Sequence, residues 1–417
     1  MIRRRPLTGL LAAVTVSLTG STVAALALPW FVWSTTGSAT RMGVVAFAEA
    51  TPYVLVKALG GPFVDRYGPR RISWVSDLAS AAAMAAVPVL HALGVLSFGV
   101  LLGLVALIGA ARGPGDTAKE VMVPEAARRG AVPLERATGL LGGVERLSGT
   151  LGPVAGGALV ALAGEMAALG VNAALFVLGS LLVAGALPRG MGGAAPASDG
   201  GYLRRLGEGL ALLRGDPLLL TLVVMLAVTN LLDAATMVLV PLWVYGAGHS
   251  PAALGTLLAV WSGAALAGSL LAAGVAHRLP RRVVFFAGFV LGSVPKYLVL
   301  LLDAPLWAVA GVFVVGGFGV GFVNPVIGAV MFERIPGPLL GRAQALGGAL
   351  SFAGIPLGRL LGGAGAGLLG LAPVLALVGL VYAATIAVSG LRPEWRSMDR
   401  GQEREREKIP GVPAEIT

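Results

Sequence analysis

Long apolar stretches alternate with short polar turns along the whole chain. Each stretch holds about 20 or more residues with few charges, which is the length that an α-helix needs to cross a membrane. The pattern therefore predicts a polytopic membrane protein with twelve spans. The predicted spans are 7–33, 42–64, 72–90, 93–123, 137–163, 166–187, 218–245, 252–276, 283–302, 305–332, 343–370 and 373–391.

The composition agrees with this division. Hydrophobic residues make up 56% of the 417 positions and charged residues 12%, whereas soluble chains carry about 25% charged residues. The 62 glycines lie mostly within apolar stretches, where glycine lets helix backbones approach closely. The apolar stretch after the arginines at 3–5 is too long for a signal-peptide core, so we expect an uncleaved first span. The fold class is all-α and integral to the membrane.

The same composition excludes several kinds of site. There is no cysteine, and the three histidines are scattered along the chain. Disulfides, thiolate catalysis and a histidine metal centre are therefore not expected. The sequence also offers no pattern of a nucleophile with a general base, so we do not expect an enzyme. We expect no metal and no cofactor. The net charge of +10 follows from the excess of Lys and Arg in cytoplasmic loops, so we expect no nucleic-acid partner.

Charge placement predicts the orientation and the domains. Most of the 31 Lys and Arg fall in the termini and in alternate loops, which places both termini in the cytoplasm by the positive-inside rule. The gap after the sixth span divides the chain. The predicted domains are an N-terminal six-helix bundle (1–187), a cytoplasmic linker with an amphipathic helix (188–217), a C-terminal six-helix bundle (218–391) and a solvated cytoplasmic tail (392–417).

The two halves are internal repeats of each other. Short strings recur at a nearly constant separation. The matches are Pro29 with Pro241, Gly43 with Gly255, Pro69-Arg70-Arg71 with Pro280-Arg281-Arg282, Arg136-Ala137 with Arg342-Ala343, and Gly152, Gly156 and Gly157 with Gly358, Gly362 and Gly363. A parallel duplication of six helices about an axis normal to the membrane predicts two pseudo-symmetric bundles.

The loop after the second span carries the most specific motif. Its fixed positions are Gly61, Asp65, Arg66, Gly68, Arg70 and Arg71. The loop resembles the signature loop of the major facilitator superfamily, G-x-x-x-D-R-x-G-x-R-R, at every fixed position. The resemblance implies the major facilitator fold, with twelve transmembrane helices in two pseudo-symmetric six-helix bundles. It also implies a gate in which Asp65 binds backbone N–H groups at a helix N-terminus. The alternative is plain positive-inside charge, and the second copy has Ala276 in place of Asp65.

The fifth span contains a second motif. Its positions are Gly149, Gly152, Pro153, Gly156 and Gly157. It resembles the G-x-x-x-G-P-x-x-G-G motif of proton-driven exporters, although it starts one residue late. The alternative is generic packing of small residues. Strings around Pro29, Ser76-Asp77-Leu78 and Arg334-Ile-Pro336 are similar to the macrolide-efflux and enterobactin-exporter branch.

That resemblance implies a secondary transporter in the bacterial inner membrane. The expected protein is a monomer in the lipid bilayer that exports an amphiphilic small molecule, such as a drug-like compound, a macrolide or a siderophore, in exchange for protons. The proton gradient, rather than a cofactor, would drive transport. An importer or a lipid or lysophospholipid carrier is the alternative, because a fold does not fix the function.

Charged residues within the spans need partners or a water-filled cavity. Their depth along the helices, at about 1.5 Å per residue, predicts four pairs. These are Arg112 with Glu145, Asp116 with Arg146, Lys57 with Asp77, and Glu49 with Arg359. The first two pairs could exchange partners. Glu49 and Arg359 fall in the outer half and could close an outer gate, but any pair could instead be a static bridge that only neutralises buried charge.

Asp233 in the seventh span is a further candidate for proton exchange, because a carboxyl group in a low-dielectric setting can bind a proton near neutral pH. It shares a helix face with Asn230 and Met237, which predicts a cavity lining. The alternative is that Asp233 bonds to the backbone of a neighbouring helix. Trp261, within the eighth span, could also face the cavity, whereas the other tryptophans, including Trp395, lie near span ends as interfacial anchors do.

Overall fold

A computed structural model describes residues 5–59, 64, 66–189, 191, 210–211, 213–275, 278–335 and 346–399. Within this described part there is no strand, and eleven helices are long and apolar enough to cross a membrane. The helices are α1 (Arg5–Thr36), α2 (Ala39–Leu59), α3 (Pro69–Ala92), α4 (Phe98–Arg129), α5 (Leu134–Ala186), α6 (Pro217–Gly246), α7 (Pro251–Val275), α8 (Arg281–Leu301), α9 (Leu306–Gly321), α10 (Val323–Arg334), α11 (Ile355–Leu369) and α12 (Leu371–Gly390). α9 and α10 together form one span.

α5 contains both the fifth and the sixth predicted spans. Its apolar part has 51 residues, which would extend about 75 Å as one helix and exceed the roughly 30 Å of a hydrocarbon core. Gly164 interrupts the helix with φ 82° and ψ 167°, which are not helical values. Glycine adopts this positive φ without a steric penalty because it has no Cβ. Gly152 before this point packs on Thr22 of α1, and Asn172 after it packs on Gly20. The chain therefore reverses at Gly164, and the helices hold the twelve predicted spans.

The fourth span begins later than predicted. The prediction started it at 93, but α3 continues to Ala92 and α4 begins at Phe98. Gly94 turns the chain with φ 72°. The side chain of Ser97 then caps α4 by accepting a hydrogen bond from the backbone N–H of Val100 at 3.3 Å. Hydropathy missed the turn because the residues that form it are mostly apolar.

Contacts within the described helices repeat between the halves as the duplication predicts. Gly156 in α5 packs against Val23 of α1. Their repeat equivalents, Gly362 in α11 and Ala235 in α6, pack against each other in the same way. Since neither glycine has room for a side chain at this contact, the repeated glycines are explained by helix packing.

An arginine caps the last helix of each half. Arg70 donates from Nη2 to the carbonyl oxygen of Ala184 at 2.6 Å, near the end of α5. Arg282 donates from Nη2 to the carbonyl oxygen of Gly390 at 2.8 Å, at the end of α12. A cation is favourable at the C-terminus of a helix. The structure therefore makes Arg282 the equivalent of Arg70, which corrects by one residue the sequence alignment that had matched Arg70 with Arg281.

The first residues after α12 are packed and not solvated, which corrects the prediction for the tail. Pro393–Arg396 form a short 3₁₀ helix, and Trp395 in it is fully buried. The Trp395 ring stacks on Phe285 of α8, with centroids 5.0 Å apart. Arg334 at the end of α10 donates to the Oγ of Ser397 at 2.7 Å. Trp395 is thus a core residue and not the interfacial anchor that its place near a span end had predicted.

The chain divides into two compact units. The first unit comprises Met1–Asp199, Asp233–Ser262 and Ala353–Val374. The second comprises Gly200–Leu232, Gly263–Phe352 and Leu375–Thr417. The first unit therefore holds α1–α5 and α11 together with parts of α6 and α7 and the start of α12. Most of the predicted amphipathic helix in the linker lies outside the described residues.

Candidate functional site

Two helix faces meet residue by residue along α2 and α4. Three positions on each helix lie one turn apart and face a partner on the other helix. The contacts are Glu49 Oε1 with Arg112 Nη1 at 3.2 Å, Tyr53 Oη with Asp116 Oδ2 at 3.3 Å, and Lys57 Nζ with Glu120 Oε1 at 3.1 Å. Each pair is separated by 63 residues in the chain, so the two helices run parallel and in register. We call these six residues the charge ladder.

Glycines in α4 allow the two helices to approach this closely. A Cβ on Gly113 would lie 2.9 Å from the carbonyl oxygen of Tyr53 and 3.0 Å from the backbone nitrogen of Lys57. Gly109, one turn earlier, leaves even less room beside the carbonyl oxygen of Glu49. Small residues permit such backbone contact in lipid-embedded helices. The charge ladder therefore lies beside a glycine contact that fixes its register.

The charge ladder corrects two predicted pairs. Arg112 binds Glu49 and not Glu145, whose side chain is exposed. Asp116 accepts a hydrogen bond from the hydroxyl of Tyr53 instead of pairing with Arg146. Matching depth allowed either arrangement, because depth gives the position along a helix but not the direction in which a side chain points.

Asp77 belongs to a separate cluster with Lys119 and Ser17, which corrects the predicted pair with Lys57. Lys119 Nζ lies 2.7 Å from Asp77 Oδ1 and 2.9 Å from Ser17 Oγ. The side chains of Lys119 and Asp77 are only 4% and 5% exposed. A fully buried charge needs this combination of an opposite charge and further hydrogen bonds. The cluster ties α1, α3 and α4 together.

The carboxylate of Glu49 accepts hydrogen bonds from a second arginine. Arg359 Nη1 of α11 lies 3.3 Å from Glu49 Oε2 and also donates to the carbonyl oxygen of Ala46 at 3.3 Å. The predicted contact between Glu49 and Arg359 is present, while its role as a gate stays a prediction. With Arg112 on the other oxygen, one carboxylate joins α2, α4 and α11 by charge-assisted hydrogen bonds.

A pocket of about 80 Å³ adjoins this carboxylate. Its walls are apolar except for Glu49 and Arg359. The apolar lining comes from α1, α2 and α6 and includes Ala25, Leu28, Val45, Met237 and Val238. Met237, one of the predicted cavity residues, is 64% exposed and lines the pocket. Pockets for drug-sized ligands measure about 300–1,000 Å³, so such a ligand would fit only after the helices around the pocket move apart.

The other predicted cavity residues do not line this pocket. The amide nitrogen of Asn230 donates to the carbonyl oxygen of Ser351 at 3.1 Å. Asp233 and Trp261 are both half-buried. In the described part of the chain, no group of three or more His, Asp or Glu side chains is placed to hold a metal ion.

The signature loop is described only in part. Gly61 and Asp65 lie outside the described residues. The guanidinium of Arg66 lies 5.4 Å from the ring centroid of Tyr67, and Arg71 is exposed. Arg70 donates a hydrogen bond to the carbonyl oxygen of Ala184 and so caps the end of α5. The gate itself therefore stays a prediction.

The fifth-span motif has two packing faces. Gly152 and Gly156 pack on α1, and a Cβ on Gly157 would lie 3.1 Å from the Cα of Gly255 in α7. The carbonyl oxygen of Pro153 also abuts Gly255, while Gly149 lies near Ser262. An equivalent contact joins α2 and α11, where a Cβ on Gly43 would lie 2.7 Å from the Cα of Gly363. We call these two contacts, Gly43 with Gly363 and Gly157 with Gly255, the glycine seam.

Sequence reasoning missed Tyr53, Lys119 and Glu120. A signal for two of them was available, since Tyr53 follows Glu49 by one turn and Glu120 follows Asp116 by one turn. Those spacings place charged and polar groups on a single face of each helix. The signal was incomplete because nothing in the sequence says that these two faces meet.

The family model of the Major Facilitator Superfamily matches residues 10–249 and 222–412. The chain belongs to the Major Facilitator Superfamily. Two curated relatives are named multidrug efflux pump Tap. The one from Mycobacterium tuberculosis is 32% identical over 368 residues, which cover 86% of this chain and 87% of the relative. The one from Mycolicibacterium fortuitum is 31% identical over 407 residues, which cover 95% and 98%.

Solved structures of the superfamily share the fold. The nucleoside transporter NupG superposes with a TM-score of 0.71 at 15% identity and covers 94% of this chain and 98% of its own. A bacterial homologue of the human lysosomal transporter Spinster, solved in an inward-facing and unoccupied conformation, superposes with a TM-score of 0.71 at 14% identity and covers 97% and 98%. Membership of the Major Facilitator Superfamily makes this chain a multi-pass integral membrane transporter.

Proposed function

We propose that this transporter exports amphiphilic, drug-like small molecules across the bacterial inner membrane in exchange for protons. Relatives named as multidrug efflux pumps match nearly the whole chain, which supports drug efflux. Both termini would lie in the cytoplasm, since most of the Lys and Arg then face that side. The observation that carries proton coupling is the carboxylate of Glu49, held by Arg112 from α4 and Arg359 from α11.

Protonation of Glu49 would act on both halves of the chain at once. The ionised carboxylate accepts from α4 in the first half and from α11 in the second. A proton on this group removes the charge that holds both guanidinium groups and leaves two cations facing a neutral acid. One proton would therefore weaken the contact between α2 and α11, which is the coupling that an antiporter needs.

The glycine seam and the small pocket support alternating access. The glycine seam brings α2 onto α11 and α5 onto α7, near the turns after α1 and α6. With these turns on the outer side, as the positive-inside rule predicts, the glycine seam would close the outside. A pocket of about 80 Å³ would have to enlarge for a drug-sized substrate. Separation of the glycine seam would provide that space and an exit.

The signature loop would hold the opposite state. We assign Asp65 the role of a latch on the cytoplasmic side, because the loop matches its family motif at every fixed position. Asp65→Asn should then impair transport while leaving insertion and thermal stability unchanged. Transport at the wild-type rate by this variant would remove the latch from the proposal.

The proposed function is tested in inverted membrane vesicles with an imposed pH gradient and a panel of fluorescent amphiphiles. Wild-type protein should accumulate at least one amphiphile inside the vesicles, and collapse of the pH gradient should stop it. Glu49→Gln should lose the dependence on the gradient, whereas Glu165→Gln, which neutralises a carboxylate close to Ser34 at the end of α1, should keep it. Transport in the opposite direction, or of lysophospholipid alone, would instead favour the importer or lipid-carrier alternative.

A further inference from the structure

We propose that Tyr53 is a positioning residue for Glu49: its ring holds the guanidinium of Arg112 against the Glu49 carboxylate and so sets the pH at which that carboxylate takes up a proton. The proposal rests on the proposed role of Glu49 in proton coupling. It assigns to Tyr53, which is uncharged, the role of orienting Arg112 towards the carboxylate that takes up the proton.

The geometry places Tyr53 beneath the same guanidinium that binds Glu49. The Cζ atom of Arg112 lies 5.4 Å from the centroid of the Tyr53 ring, within the range of a cation–π contact. From this position Nη1 of Arg112 reaches Glu49 Oε1 at 3.2 Å. Lys57 Nζ lies 5.9 Å from the same ring centroid. Tyr53 thus contacts the cations before and after it along the charge ladder.

The hydroxyl group fixes the ring in this orientation. It donates to Asp116 Oδ2 at 3.3 Å, one turn of α4 beyond Arg112. The ring is anchored at its far end by this bond and at its base by the contact of α2 with Gly113. The arginine side chain is flexible, and stacking of its planar guanidinium on an aromatic ring restricts the orientation of that group.

The consequence appears when α11 moves away. Arg359 then leaves Glu49, and Arg112 is the guanidinium that still holds the carboxylate on the side of α4. The charged groups that interact with Glu49, Arg112 or the rest of the charge ladder are Lys57 on α2, Asp77 on α3, Arg112, Asp116 and Glu120 on α4, Glu145 and its neighbour Arg146 on α5, and Arg359 on α11. Among these groups, Arg112 is the one that Tyr53 orients towards Glu49. Tyr53 therefore controls how firmly the ionised form of Glu49 is stabilised in the open state.

The test follows the carboxyl group of Glu49 by infrared difference spectroscopy of the full-length protein in liposomes as pH is varied. The band that disappears in Glu49→Gln is assigned to Glu49. Tyr53→Leu removes the ring and should move the midpoint of this band towards higher pH by roughly half to one unit. Tyr53→Phe keeps the ring but loses the hydroxyl that anchors it to Asp116, so it should move the midpoint in the same direction by clearly less than Tyr53→Leu does. Tyr53→Met fills the same space without a ring and should behave like Tyr53→Leu, which covers the case in which that variant does not fold.

Tyr382→Leu in α12 is the matched control, because it removes a tyrosine that lies outside the charge ladder and should leave the midpoint unchanged. An unchanged midpoint in both Tyr53→Leu and Tyr53→Met, or a shift of equal size in Tyr53→Phe, would overturn the positioning role. The spectroscopic reading requires no substrate. A wild-type protein whose transport ignores the pH gradient would refute the proposed function, while the shift of the Glu49 band would still report on Tyr53.

Discussion

Gly43 of α2 and Gly363 of α11 touch through their backbones, and their repeat equivalents Gly255 and Gly157 do the same between α7 and α5. Gly43 and Gly255 are equivalent positions in the repeat, and so are Gly363 and Gly157. The duplication therefore relates the two contacts to each other. Neither contact can accommodate a side chain. The closed arrangement of these helices therefore depends on the absence of four side chains.

Gly157→Ala should destabilise this closed arrangement. Its Cβ would lie 2.8 Å from the carbonyl oxygen of Pro251, and overpacking of this kind costs about 1–3 kcal/mol. The ratio of open to closed molecules should rise roughly 5- to 150-fold. Because the chain has no cysteine, spin labels on cysteines introduced at Thr35 and Ala247 can report the distance between the ends of α1 and α6. Gly143→Ala on the same helix, where a Cβ meets no atom within 4 Å, is the control and should leave the distances unchanged.

Glu49→Gln should shift the same distances towards the open state. The neutral side chain leaves Arg112 and Arg359 facing each other without the carboxylate that they share. Loss of one member of a fully buried pair costs about 3–5 kcal/mol. Because these side chains are 19–24% exposed, we expect the closed state to lose about 1–3 kcal/mol relative to the open state. Substrate binding should persist. A distance distribution equal to that of the wild type, or one shifted towards closure, would contradict the gating role.

The pair of Asp77 and Lys119 should respond non-additively to substitution. Asp77→Leu or Lys119→Met alone leaves a buried charge and should lower the free energy of unfolding by about 3–5 kcal/mol. Asp77→Leu combined with Lys119→Met should lie closer to wild type than either single change, because no charge then remains in the apolar interior. Thermal unfolding of the purified protein in detergent measures the effect. Additive losses would mean that the two residues do not interact.

Trp395→Ala should destabilise the protein although it lies beyond the last span. The side chain is fully buried and stacks on Phe285, and removal of a buried tryptophan costs about 3–5 kcal/mol. Trp307→Ala removes a tryptophan that is 78% exposed, so this control should lower the melting temperature far less. A chain that ends after Asp399 keeps this packed segment and should be more stable than a chain that ends after Leu391, which lacks it. Equal melting temperatures of these two truncated chains would contradict the packing of this segment.

The pairs of charged residues mark the limit of the sequence reasoning. Depth along a helix correctly brought Glu49 to the level of Arg359, because the rise per residue is fixed. Depth also matched Arg112 with Glu145 and Lys57 with Asp77, and both pairs were wrong. Several groups of opposite sign lie at similar depth, and the choice among them depends on which helix faces are adjacent. That choice is made by the contact of Gly109 and Gly113 with α2.

The sequence by itself determined the class of protein, the twelve spans, the duplication and the family. These properties are local or periodic, since lipid requires apolar stretches of about 20 residues and a gene duplication leaves matching strings. Only the tertiary structure decided that Glu49 is shared by Arg112 and Arg359, that Tyr53 supports one of them, and that Lys119 neutralises Asp77. Those contacts join helices that are distant in the chain, and they depend on the rotation and close approach of whole helices, which the order of residues along one helix does not specify.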